Sequence, residues 1–239
     1  EEIMPFGSLG LGLGLGAHRK VGGAGNKPAT FTVTSGDGTK YVRVRVSETT
    51  TVTPAGGTSI RIGSSGDFVT TPLILAANTN QDIYFNGAGS FIIPRRKLVT
   101  YLYLNDLGSS VIAGDITGMK LTYLNLYKLG SSVISGDITG MKLTYLRLVN
   151  IGSSVITGDI TGMELTFLYL SSIGSSIITG DITGMKLTTL VLSAIGSSLT
   201  YGTNQLNITS TYGIQLLGNT VFATAAEYEQ LFIDAAAST

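Results

Sequence analysis

The chain of 239 residues has no cysteine, no tryptophan and a single histidine, His18. Without cysteine there are no disulfides, thiolate metal sites or cysteine nucleophiles. Charged residues make up only 13%, about half the usual share, and 15 basic residues balance 15 acidic ones. A basic field for nucleic acid is therefore missing, and no polybasic segment would seek an anionic membrane. No apolar run approaches the roughly 18–20 residues that span a bilayer. His18 sits between Ala17 and Arg19, with no serine or aspartate constellation directed at it. There is no Walker-type lysine loop, and no G-x-G-x-x-G opens a helix. The sequence assigns no catalytic residue, no metal ligand set and no cofactor, and it reads as non-enzymatic.

Glycine (32 residues) and apolar side chains (43%) are plentiful, and they fall into four stretches. Residues 1–28 form a glycine-rich arm centred on Leu9-Gly10-Leu11-Gly12-Leu13-Gly14-Leu15-Gly16. If extended, this arm puts every leucine on one face. It reads either as a floppy segment or as one that docks on a partner, because glycine loses much entropy on ordering. Residues 29–93 read as all-β, a small sandwich or a β cap that runs into the next region. Strands are expected at Phe31–Thr34, Tyr41–Val46, Ser59–Ile62, Leu73–Leu75 and Asp82–Phe85, with Ser35-Gly36-Asp37-Gly38 as a hairpin turn. Residues 219–239 read as a C-terminal cap. There Thr224 and Glu227 have capping-box spacing ahead of a short helix.

Residues 94–218 carry a repeat. Copies start at Val99, Leu121, Leu143, Leu165 and Leu187, so the period is 22 residues. A fixed period of this size signals a solenoid, in which each coil buries its apolar face only by stacking on neighbours. The copies contain L-x-x-L-x-L, as at Leu121, Leu124 and Leu126, with Val99 in the first leucine's place in the first copy, and the first four are followed by a run such as Gly136-Asp137-Ile138-Thr139-Gly140-Met141. This resembles the leucine-rich repeat proteins of bacterial cell surfaces and bacterial-virus particles, in the variant whose coil carries a second short strand. The resemblance implies a mainly β leucine-rich repeat solenoid of about five coils. It departs from the family where an asparagine ladder is usual: Leu107, Leu129, Ile151, Ile173 and Ile195 stand there. The following Gly-Ser-Ser is expected to satisfy the turn with serine hydroxyls. The second half of each coil is rich in Val, Ile, Thr and Gly, so a strand is expected there instead of a helix.

The copies differ mostly around the strand. Alternation points Leu124 and Leu126 inward and Tyr123, Asn125 and Tyr127 outward. The matching outward triplets are Tyr101, Tyr103, Asn105; Tyr145, Arg147, Val149; Phe167, Tyr169, Ser171; and Thr189, Val191, Ser193. Two readings stay open. The aromatics could form a recognition face for glycan or protein, or they could simply suit exposed strands and stabilise the sheet laterally. The candidate binding residues are Tyr101, Tyr103, Tyr123, Asn125, Tyr127, Tyr145, Arg147, Phe167 and Tyr169.

A second regular feature is the series Asp115, Asp137, Asp159 and Asp181, expected about 5 Å apart on stacked coils. It reads as a structural row bonding turn N–H groups, with Ca²⁺ between coils as the alternative. One carboxylate per coil falls short of the 6–8 oxygens that Ca²⁺ takes. Lys120, Lys142 and Lys186 are possible partners for the row, which Glu164 interrupts. The chain as a whole is read as an extracellular structural and recognition component, a virion fibre or decoration protein. A bacterial cell-surface or secreted adhesin is the alternative. Expected partners are a protein or glycan on a cell surface, and other virion or envelope proteins through the arm, with homo-oligomers possible. No nucleic acid and no membrane span are expected.

Overall fold

The computed structural model describes residues 26–182, 185–193, 195, 198–200, 214–217, 221–222 and 229. The glycine-leucine motif and the expected C-terminal helix, Glu229 apart, lie outside them. Seven strands precede the repeats: β1 Ala29–Ser35, β2 Asp37–Val46, β3 Thr50–Ala55, β4 Ser59–Ile62, β5 Leu73–Leu75, β6 Gln81–Asn86 and β7 Gly89–Ile93. A single 3-10 turn, Arg96–Leu98, leads into the first coil. Each coil then contributes two strands. The first strands are β8 Val99–Asn105, β10 Tyr123–Tyr127, β12 Tyr145–Val149, β14 Phe167–Ser171 and β16 Thr189–Ser193. The second strands are β9 Val111–Asp115, β11 Val133–Asp137, β13 Val155–Asp159, β15 Ile177–Asp181 and β17 Ser198–Thr200. Short strands β18 Ile214–Leu217 and β19 Val221–Phe222 close the two ladders.

The repeats form a β-solenoid of about four turns, and the protein is mainly β. First strands pair in parallel in one sheet and second strands in the other. The N-terminal strands extend those same two sheets: β2 pairs antiparallel with β8, and β1 with β9. The sandwich and the solenoid thus share one core. Phe31, Phe85 and Phe91 lie at one end of it and Leu124, Leu126, Leu129, Ile134, Ile138 and Met141 fill a typical coil. Among the described residues no helix is long and apolar enough to cross a membrane.

The hairpin expected at residues 35–38 does not form. β1 and β2 lie in different sheets, so the chain crosses the core edge there. Each strand has one apolar face, and the two can bury those faces against each other only from opposite layers. Gly36 permits the crossing, since a Cβ there would stand 2.9 Å from the Phe85 ring.

Serine replaces the asparagine ladder. The Ser132 Oγ accepts the Ile112 N–H (3.0 Å) and donates to the Ser110 carbonyl (3.4 Å). Ser154 repeats this with Ile134 and Ser132, and Ser176 with Ile156 and Ser154. Leu107, Leu129, Ile151 and Ile173 are fully buried beside this row. At another corner Thr122, Thr144, Thr166 and Thr188 each donate to the threonine carbonyl one coil earlier.

Candidate functional site

The two sheets present different chemistry outward. The strands of the β9 sheet contain no lysine or arginine; their charged residues are Asp115, Asp137, Asp159 and Asp181. Phe31 and Phe91 of that sheet point into the core. The outer surface of the second strands is threonine, serine and exposed aliphatics, with Val133, Val155 and Ile177 in corresponding positions. The strands of the β10 sheet carry the tyrosines, together with Lys40, Arg43, Arg45, Arg61 and Arg147 against Asp37 and Asp82. Both sheets expose strands of the same geometry, so strand propensity alone does not explain why aromatic rings and guanidinium groups gather on one of them.

Pairing fixes the rows of that face. In the β10 sheet, register follows the 22-residue period, so equivalent residues lie side by side. Tyr101, Tyr123, Tyr145 and Phe167 form the first row, with successive ring centroids 4.1, 4.1 and 4.2 Å apart and planes within 12° of parallel. Strand spacing of about 4.8 Å leaves these rings little choice but to stack face to face. Burial is the main cause that pushes the Tyr101 and Tyr145 hydroxyls above the ordinary phenol range, and the neighbouring Tyr123 adds to it.

The second row runs Arg43, Tyr103, Asn125, Arg147, Tyr169, Val191. Arg43 forms a two-bond ion pair with Asp82, and its guanidinium also lies 5.5 Å from the Tyr103 ring. The Arg147 guanidinium lies 4.3 Å from the Tyr127 ring centroid and 5.4 Å from that of Tyr169. Asn125 points to the expected face but is only 2% exposed, because the large side chains flanking it in its row close over a short amide. Its Oδ1 and the Nε of Arg147 are buried without a hydrogen-bond partner. The third row is Asn105, Tyr127, Val149, Ser171 and Ser193.

All nine candidate residues lie on one face of the β10 sheet, and all but Asn125 reach its surface. Reading the repeats alone misses Tyr41, Arg43, Arg45 and Tyr84, which extend the surface over the N-terminal strands. Arg45 stands 5.5 Å over the Tyr101 ring, and Tyr41 packs on Tyr84 at 5.1 Å. The signal was present in the alternation Tyr41-Val42-Arg43-Val44-Arg45-Val46, which points three of these four side chains outward.

The aspartate row behaves differently from the expected ladder. In its sheet Ser135 lies beside Val155, and Asp137 beside Thr157, so the register runs 20 residues instead of 22. Successive carboxylates are therefore staggered by two residues along the strand, which separates equivalent Cα atoms by about 8 Å instead of 5 Å. Each Oδ1 of Asp115, Asp137 and Asp159 accepts the N–H of the threonine two residues on, at 2.8 Å. The hydroxyl and backbone N–H of Thr139 hold the Asp137 carboxyl below its usual range, and those of Thr161 do the same for Asp159. For Asp115, burial pushes upward, but Thr117 and Arg96 outweigh it. Arg96 pairs with Asp115 at 2.9 Å; neither Lys120 nor Lys142 forms an ion pair with Asp115, Asp137 or Asp159. Among the described residues no three His, Cys, Asp or Glu side chains group to hold a metal.

Comparisons with protein-family models, curated proteins and solved structures return no match to this chain.

Proposed function

We propose that this protein is a non-enzymatic recognition and structural component displayed outside a cell, as a fibre or decoration protein of a virus particle. In this reading the solenoid belongs to the leucine-rich repeats, and the outward face of its β10 sheet is the binding surface. The arm at residues 1–28 anchors the chain in its assembly. One observation carries the binding role: in the described coil strands β8 to β16, outward aromatic rings and guanidinium groups are confined to the β10 sheet. Tyrosine and arginine are enriched among the side chains that dominate the energy of protein contacts: tyrosine buries large area at low entropy cost, and arginine offers a rigid fork of donors.

The test has two arms. Labelled full-length chain is offered to a panel of bacterial cells, beside two triple variants that each alter one face. Tyr127→Ser with Arg147→Ser and Tyr169→Ser should abolish binding, whereas Val133→Ser with Val155→Ser and Thr157→Ser should retain it. Loss only in the second variant would move recognition to the other sheet. An antibody to the chain should label purified virus particles; labelling confined to the cell envelope would favour the adhesin reading.

A further inference from the structure

We infer that the partner of the β10 face is a protein that docks an acidic side chain between Tyr127 and Tyr169 onto Arg147, and not a carbohydrate. The inference rests on the proposed binding role of that face and names its ligand chemistry.

The first part of the case is what the rings no longer offer. Sugar binding by aromatics uses an open ring face, which meets the C–H groups of the sugar. Here Tyr123 lies between Tyr101 and Tyr145, and Tyr145 lies between Tyr123 and Phe167. Tyr101 has Tyr123 on it at 4.1 Å and the Arg45 guanidinium at 5.5 Å. Tyr103 carries Arg43, and Tyr127 carries both Arg147 and Lys128, whose Nζ lies 5.2 Å from its ring. The first row thus turns the edges and hydroxyls of Tyr101, Tyr123 and Tyr145 outward. Edges and hydroxyls suit the mixed polar and apolar surface of a protein.

The second part is charge. Arg147 is the one charged side chain at an outward position of the solenoid strands β8, β10, β12, β14 and β16. Among the described residues it has no hydrogen-bond or ion-pair partner; the ion pairs formed there include Arg43–Asp82, Arg95–Glu48 and Arg96–Asp115. Among the described residues Lys128 likewise has no ion pair, and Asp106, one coil before it, pairs with neither. Rings near the guanidinium at 4.3 and 5.4 Å hold it in place, and its Nε is buried. A fixed guanidinium binds a carboxylate through two parallel N–H···O bonds and gives up little rotamer freedom in doing so. The site is built for one anionic group, with Lys128 adding a second positive charge.

The experiment uses the full chain and two probes. A random 12-residue peptide library on phage is selected against the chain. In parallel, an array of neutral, sialylated and sulfated glycans is probed with it. Selected peptides should be enriched in Asp or Glu, and a synthetic peptide of the enriched sequence should bind at least ten-fold more weakly to Arg147→Gln. Arg147→Lys should recover only part of the loss, because an ammonium lacks the fork. Unchanged melting of both variants ties the loss to the contact. Glycans on the array should bind no better to the wild type than to Arg147→Gln. Glycan binding that Arg147→Gln removes overturns the inference, as do selected peptides free of acidic residues that bind Arg147→Gln as well as wild type. Peptides whose binding also survives Tyr127→Ser and Tyr169→Ser would sink the binding role of the face itself.

Discussion

Ser154 and Ser132 are joined across successive coils by a bond from the Ser154 hydroxyl to the Ser132 carbonyl, 3.3 Å long, while the same Oγ accepts the Ile134 N–H at 2.9 Å. Both serines are fully buried. One hydroxyl therefore satisfies a donor and an acceptor that have no access to water. Ser154→Ala leaves both orphaned and should cost about 1–3 kcal/mol. Chemical denaturation of the variant reads that loss directly. A change below about 0.5 kcal/mol would show that the row contributes nothing net.

The glycine before each aspartate is set by a close approach between coils. Gly158 has φ +149, and a Cβ there would lie 2.6 Å from Ile138 Cγ1 and 2.9 Å from the Thr139 nitrogen. Gly162 has φ +72 with nothing within 4 Å of its Cβ position. Gly158→Ala should thus cost several-fold more stability than Gly162→Asn, since asparagine tolerates the left-handed region and alanine cannot relieve the contact. The comparison is made by melting temperature. Equal effects would mean that the coils move apart freely.

These two positions mark what the sequence could and could not tell. The first strands follow from the period and the alternation around Leu124 and Leu126, and the second strands from the Val, Ile and Thr of runs such as Val133–Asp137. The 20-residue register of the second sheet was not legible, because it depends on how Gly158 seats on the turn headed by Asp137. Strand β3 was missed because Pro54 looks like a breaker, yet it lies inside the strand, buried opposite Phe91. The tyrosine rows were readable from alternation alone. Their extension through Arg43 and Arg45 required knowing that β2 continues the same sheet, which no local pattern encodes.

Acid should destabilise the protein within a defined window. The hydroxyl and N–H of Thr39 hold Asp37 at a pKa of about 2, and Asp137 and Asp159 are lowered in the same way by Thr139 and Thr161. Folded values below the unfolded ones mean that this stabilisation is complete above the unfolded carboxylate value of roughly 4 and is lost as pH falls through the folded values. Denaturation midpoints should be level from pH 7 to 5 and fall between about pH 4 and 2. Asp37→Asn should flatten part of that fall. Chelator should leave the melting temperature unchanged, since threonine N–H groups already occupy one oxygen of Asp115, Asp137 and Asp159. A drop with chelator that Ca²⁺ restores would reinstate the cation reading.

The claim that one face of the solenoid recognises a partner is tested most directly by substituting every outward position of both sheets. The variants are sorted for binding to the bacterial cells that the wild-type chain binds, and folding is monitored in parallel. Folded variants that lose binding should cluster at Tyr127, Arg147 and Tyr169 and their neighbours on the β10 sheet. Positions such as Val133, Val155, Thr157 and Thr179 on the opposite sheet should be neutral. Binding losses spread evenly over both sheets, or gathered on the aspartate side, would contradict the account.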